Sequence, residues 1–361
     1  MLKRQTIAVK PSVQRHLLAA SVVMIAAAGS FHGSAGAMTI NANFENSISM
    51  STSASTIESD INNALSFYDS TFTNPITVNI DFGITTGASY LGQSNNTIYN
   101  PTYSTYTSDM QSNAVASSNA TELTAYNNLQ YGNDSNGSKN LSITAPDMRA
   151  LTGSSSYHGG YDQAGNYVGS SGTYDGVITL NATDLSGFGL GGSTSAGRVI
   201  QHEVDEVLGI GGAGSTITSS TTTSTTYGPM DLFRYSALHT PSYTNSSTAT
   251  SYFSIDGGKT NLVNFNQNPG TNGQTGGDFG DWSSEGTTGN YVQLAFTSSS
   301  QGSANVSLTS PEGIALQAIG YDVAVPEPST LAMFAGVMLG LGLMRRRSRS
   351  TRHDFFKPLD S

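Results

Sequence analysis

The sequence predicts an α+β domain, in which helices and strands follow one another around an amphipathic helix near the middle of the chain. Three observations support this class. Apolar residues at helical spacing follow position 55, strict alternation over 75–83 is typical of a strand, and a second helical stripe lies at 199–208. The roughly 290 residues between the two terminal segments are enough to bury a substantial core.

The first 37 residues are predicted to be a signal peptide. Four basic residues precede the apolar run Leu17–Ala28, which is too short to span about 30 Å of hydrocarbon. Ala35, Gly36 and Ala37 are the small residues that a signal peptidase recognises. We therefore expect cleavage before Met38.

Residues 38–323 are predicted to be the folded domain. It is expected to begin with a leader or edge strand at 38–54 and a helix capped by Ser55 or Thr56. The later elements, in chain order, are expected to be a strand at 75–83, a loop or short edge strands at 86–107, helices at 108–129 and 146–151, a strand at 177–181, a Gly-rich linker at 187–197, the helix at 199–208 and a last helix at 311–318.

The helix predicted at 199–208 carries side chains at a spacing that suits metal chemistry. His202 and Glu206 are four residues apart and therefore share one helix face, with Cβ atoms about 5–6 Å apart. Glu203 follows the histidine directly, and Gly209 is expected to end the helix. The spacing predicts that His202 and Glu206 can bind one metal ion.

The segment from His202 to Gly209 resembles the active-site helix of the zincin metalloproteases, whose pattern is HExxH. In the metzincin pattern HExxHxxGxxH, Gly209 occupies the glycine position, but Glu206 and Gly212 replace two histidines. With segments 228–236, 252–260 and 319–322, the chain is similar to secreted bacterial zincin-like proteins that carry a PEP-CTERM tail. The resemblance implies a zincin-like (metzincin-like) catalytic domain with a mixed sheet and an active-site helix.

The same resemblance implies roles for individual residues. His202 and Glu206 would be metal ligands, and Glu203 the general base. Tyr235 is a candidate to stabilise the oxyanion. The strand before the active-site helix, here 177–181, would be the sheet edge to which an extended substrate adds.

The third metal ligand is not determined by spacing. The domain between the terminal segments contains three histidines, so the histidine supply is small. Asp231, His239 and His158 are candidates, and Asp231 or His239 is preferred because both follow the helix closely. The acidic turns between 252 and 282 are expected to be ordinary solvated turns.

Electrostatics also favours a cation at this helix. Glu203, Asp205 and Glu206 lie in its last two turns, where the helix dipole disfavours negative charge by roughly 0.3–1 kcal/mol each. A metal, Arg198 or Arg234 could compensate. Zinc is the expected cofactor, although a site with two carboxylates and one histidine makes manganese or calcium stronger competitors.

The C-terminal segment resembles the PEP-CTERM sorting signal of Gram-negative bacteria. Pro326-Glu327-Pro328 is followed by an apolar stretch, Leu331–Met344, and by Arg345-Arg346-Arg347. Residues 324–347 are therefore assigned to the sorting signal with its membrane helix, and 348–361 to a polar cytoplasmic tail. The resemblance implies transient insertion into the inner membrane, processing by an exosortase, and a secreted or cell-surface protein.

Charge and composition exclude other classes of function. Between positions 38 and 323 there are 5 basic residues against 22 carboxylates, so nucleic acid is an unsuitable partner. The chain has no cysteine, which excludes disulfides. We expect a monomer.

The sequence thus favours an exported metal-dependent peptidase, most simply a zinc metalloendopeptidase that acts on protein or peptide substrates. The alternative is a non-catalytic extracellular matrix or cell-surface protein that keeps a degenerate zincin fold. The two hypotheses differ in metal content, because a scaffold protein has no need of an ion.

Overall fold

A computed structural model of the chain describes residues 37–131, 140–212, 227–244, 246–267, 277–284 and 289–324. All but the last residue of the predicted signal peptide, the apolar stretch of the sorting signal and the polar tail lie outside these ranges. Within them, no helix combines the length and apolar character that a membrane span requires.

A four-stranded mixed sheet organises the first half of the domain. Its strands lie in the order β1 (Thr39–Phe44), β2 (Thr77–Thr85), β6 (Gly176–Asn181) and β3 (Gly92–Asn96). The first three strands are parallel to one another, and β3 is antiparallel to β6. The prediction of an α+β fold with a mixed sheet is confirmed, and β1 is the edge strand expected at 38–54.

Seven α-helices are described: α1 (Asn46–Ser49), α2 (Ala54–Thr71), α3 (Tyr103–Ser117), α4 (Ala120–Asn128), α5 (Ala145–Thr152), α6 (Ala196–Leu208) and α7 (Pro311–Ala318). The single helix predicted at 108–129 is wrong, because the chain breaks at Ser118, which has a left-handed φ of 60°. The side chain of Asn119 then caps α4 by accepting the backbone N–H of Glu122.

Helix α2 packs its apolar face into the core through Ile57, Ile61 and Leu65, as the spacing predicts. The predicted cap is wrong. Ser53 occupies the N-cap position, and its side chain makes no capping hydrogen bond. The helix therefore depends on burial of its apolar face rather than on a capping side chain.

A second, antiparallel sheet contains β7 (Arg234–Ala237), β8 (Thr240–Pro241), β9 (Tyr252–Phe253) and β10 (Val263–Asn264) in the order β10-β9-β7-β8. A small pair joins β4 (Ile98–Tyr99) to β5 (Ile143–Thr144). Buried rings support the second sheet: Trp282 stacks on Phe253 and packs at 5.2 Å against Phe265.

Glu122 is a fully buried carboxylate on α4. It accepts a hydrogen bond of 3.1 Å from the Asn113 side chain, and its other oxygen has no hydrogen-bond partner in the described structure. Burial, reinforced by the negative charge of Asp322, raises the pKa of Glu122 to about 9. The folded state therefore holds this group protonated at neutral pH.

We expect Glu122→Gln to stabilise the domain at alkaline pH. The folded-state pKa lies above the unfolded value, so the pH-dependent penalty from Glu122 is absent below pH 4.5 and increases as the pH rises towards 9. Between pH 5 and pH 8, the free energy of unfolding of the variant relative to the wild type should rise by up to about 1.4 kcal/mol per pH unit. Urea unfolding at both pH values measures it. An advantage that does not change with pH would contradict this account of Glu122.

Candidate metal centre

Helix α6 provides the core of the candidate site. Its apolar stripe, which includes Val199, Ile200 and Val204, is buried, as the sequence predicts. The helix ends at Gly209, whose φ of 115° turns the chain out of the helical path. His202, Glu203 and Glu206 lie at the wall of a cleft, next to Val199 at one border of the stripe.

Three side chains converge on one point of this face. His202 Nε2 lies 3.9 Å from Glu206 Oε1 and 3.7 Å from Asp281 Oδ2. One ligand atom from each of the three residues lies within 4.8 Å of the others. Tetrahedral zinc, with bonds of about 2.0–2.2 Å, places its ligand atoms roughly 3.4 Å apart. The two distances from His202 exceed this spacing by about 0.3–0.5 Å, and the separation of the two carboxylate oxygens, at most 4.8 Å, would also have to match it for an ion to fit.

A hydrogen bond determines which nitrogen of His202 faces the carboxylates. Nδ1 lies 3.2 Å from the carbonyl oxygen of Val292, which can only accept, so Nδ1 carries the proton. Burial lowers the pKa of His202 to about 4, and the ring is neutral at pH 7. Nε2 therefore directs its lone pair at Glu206 and Asp281, as a metal-binding imidazole does.

In both Glu206 and Asp281, one carboxylate oxygen accepts a hydrogen bond and the other faces His202. Ser94 on β3 donates to Glu206 Oε2 at 2.6 Å, and the amide of Gln293 donates to Asp281 Oδ1 at 3.1 Å. The backbone N–H of Gly212 also donates to both carboxylates. The ligand atoms are therefore oriented before any ion binds.

The site is electrostatically unfavourable without a cation. Burial, together with the charge of Asp278, raises the pKa of Glu206 to about 8, and burial beside Glu206 raises the pKa of Asp281 well above its usual range. Burial and the same neighbouring carboxylates raise the pKa of Glu203. A bound divalent ion would reverse these penalties, because it would be the largest charge in the site.

Glu203 lies in the same cleft, which has a volume of about 440 Å³. Only 5% of its surface is exposed, and its carboxylate packs against the backbone of β3. A Cβ atom at Gly92 would lie 2.5 Å from Glu203 Oε1, so a side chain at that position would displace the Glu203 carboxylate from its place. This packing holds Glu203 beside the cluster on the strand side of the cleft.

Gly212 brings its backbone rather than a side chain to the cluster. A Cβ atom at this position would overlap the carboxylate of Asp278. The backbone of Gly212 instead donates its N–H to Glu206 and Asp281. Asp281, rather than residue 212, supplies the third side chain of the cluster.

The structure does not bring the other predicted site residues to the cluster. Asp231 accepts the Gly228 N–H at 2.9 Å and lies 3.7 Å from Arg234, so it stabilises its own turn. His239 is exposed at a turn with a φ of 55°, and Tyr235 donates to the carbonyl of Asn128.

His158 was the remaining candidate for the third ligand. It is exposed, and its Nδ1 lies 3.0 Å from the carbonyl of Gly159. None of His158, Asp231, Tyr235 and His239 lines the cleft.

Asp281 is the site residue that the sequence interpretation missed. The sequence predicts solvated acidic turns in this segment, yet Asp281 is 97% buried. The available signal was its position directly before Trp282, the only tryptophan in the chain. A large ring that enters the core carries its neighbour inward, and a carboxylate so placed requires a partner.

The expected substrate edge at 177–181 is also wrong. Strand β6 is internal, because β2 pairs with one of its sides and β3 with the other. The sheet edge beside α6 is β3, and Gly92, Gln93 and Ser94 from this strand line the cleft.

Comparison with known proteins supports the C-terminal part of the sequence interpretation. Residues 324–347 match the PEP-CTERM protein-sorting motif, which confirms the sorting signal predicted for this segment. This motif directs proteins to the cell surface or exterior of bacteria and implies processing by an exosortase. No curated protein and no solved structure matches the chain.

We expect Asp281→Asn to weaken zinc binding by more than about 100-fold, since the loss of an outer partner alone costs about 10–100-fold. His239→Asn is the control: it removes a histidine that the sequence favoured as a ligand, and asparagine tolerates the local φ. Equilibrium dialysis with elemental analysis measures both. Equal zinc binding by the two variants would contradict the assignment of Asp281.

Proposed function

We propose that the protein is an exported zincin-like metallopeptidase, with zinc held by His202, Glu206 and Asp281. The observation that carries this proposal is the orientation of the three ligand atoms. Val292, Ser94 and Gln293 each bind the far side of one ligand residue, so all three free atoms point at one position. A surface cluster of acids does not require such partners.

The donor set suits catalysis as well as binding. Three protein ligands leave a fourth position open in a tetrahedral site, and zinc there would supply a Lewis acid and lower the pKa of a bound water. Glu203 would accept a proton from the attacking water and pass it to the leaving amine. Its burial against Gly92 limits its motion and keeps bulk water away from the carboxylate.

Strand β3 offers a binding edge for an extended peptide. Among the described residues it pairs with β6 alone, and antiparallel pairing makes alternate residues direct their backbone groups outward. The bonds from Asn181 N to Leu91 O and from Thr97 N to Asp175 O imply that Gly92, Ser94 and Asn96 are the outward residues. A substrate strand added there would pass directly over Glu203 and His202.

The charge of the cleft favours basic peptides as substrates. Two ligand carboxylates would neutralise a divalent ion, while Glu203 and Asp278 remain as further acids on the cleft wall. Arg198 is the only basic side chain among the cleft-lining residues other than His202, and it is 99% buried. Together with the sorting motif, this points to exposed proteins or matrix components with basic segments.

We expect Glu203→Gln to reduce kcat/KM for peptide hydrolysis by about 10²–10⁴-fold while zinc content stays unchanged. The assay uses the purified zinc-loaded protein with a panel of quenched fluorescent peptides that includes basic sequences. Hydrolysis that persists in the variant would remove Glu203 from the mechanism. A zinc-loaded wild-type protein that cleaves none of the peptides would favour the non-catalytic matrix protein.

A further inference from the structure

We propose that Glu312, on helix α7, is a positioning residue that sets the affinity of the metal centre without touching the ion. It acts through Tyr291, Val292 and Gln293, which we call the strap. The inference rests on the proposed metal site, although part of its test needs neither metal nor substrate.

The strap makes three successive contacts with residues of the site and its helix. Arg198 donates to the carbonyl of Tyr291, and His202 donates through Nδ1 to the carbonyl of Val292. The side chain of Gln293 donates to Asp281. The strap therefore selects the tautomer of one ligand and orients the carboxylate of another.

A single oxygen of Glu312 holds the strap in place. Its Oε1 accepts the backbone N–H of Gln293 at 3.0 Å and the indole N–H of Trp282 at 3.2 Å. Trp282 directly follows Asp281 in the chain, and its backbone N–H donates to the carbonyl of Gln293 at 2.8 Å. Glu312 thus fixes the backbone beside two of the three ligand residues.

The stacking of Trp282 makes this connection stiff. Its ring lies 5.6 Å from Phe253 with an angle of 15° between the planes, and it is fully buried. Movement of the indole would disturb the core of the second sheet. Because the Trp282 ring cannot readily move, a shift of the Glu312 carboxylate would also shift the backbone of Asp281.

Glu312 is a costly residue if its role is only to stabilise the fold. It is fully buried, and its Oε2 has no hydrogen-bond partner in the described structure. Its place in the first turn of α7 compensates in part, because a helix N-terminus favours negative charge. The carboxylate gives Trp282 and Gln293 a strong shared hydrogen-bond acceptor, which an apolar residue cannot provide.

The test compares Glu312→Leu, which removes the acceptor, with Glu312→Gln, which keeps a side-chain oxygen. We expect Glu312→Leu to weaken zinc binding by about 10–100-fold and Glu312→Gln to recover most of this loss. Competition with a chromophoric chelator measures the affinity. In metal-free protein labelled with ¹⁵N-histidine, Glu312→Leu should also reduce the population of the Nδ1–H tautomer of His202, whose signal is identified by its loss in His202→Ala.

Glu122→Leu is the matched control, because Glu122 is equally buried and makes no contact with the strap. We expect it to change the free energy of unfolding while the folded protein keeps wild-type zinc affinity and His202 tautomer. The inference is overturned if Glu312→Leu leaves affinity and tautomer unchanged, or if Glu122→Leu alters them equally. A wild-type protein without zinc affinity would count against the proposed function, and the tautomer measurement would still decide the role of Glu312.

Discussion

The hydrogen bond from His202 Nδ1 to the carbonyl of Val292 is the interaction on which the candidate site depends. It leaves the lone pair of Nε2 facing two carboxylate oxygens at 3.7 and 3.9 Å, which is too long for a hydrogen bond. While both carboxylates are ionised, three acceptors face one another in a buried place, which raises the free energy of the folded state. A cation between them turns the same arrangement into a binding site.

The residues around His202, Glu206 and Asp281 leave room for the acidic side chains of the site. Glycine at 92 admits the Glu203 carboxylate beside β3, and glycine at 212 leaves room for Asp278. The helix contributes two of the ligand residues, whereas the groups that orient the ligands come from the sheet edge and from the later loop. The site therefore forms only when both halves of the chain have folded. This makes the site a product of tertiary structure, although its central helix is recognisable as local sequence.

Local patterns predicted the site helix well and its partners poorly. His202 and Glu206 share a face because of helical spacing alone, and the stripe through Val204 determines which face is buried. Asp281 lies 75 positions from Glu206, and no periodicity links them. The mixed sheet was predicted, but the break at Ser118 depends on a left-handed residue that propensity does not reveal.

The most direct test of the account is an anomalous diffraction measurement at the zinc absorption edge on crystals of the zinc-soaked protein. The account predicts one strong peak bonded to His202 Nε2, Glu206 and Asp281 at about 2.0–2.2 Å. A peak that is bonded to Asp231 or His239, or no peak between His202 and Asp281, would contradict it.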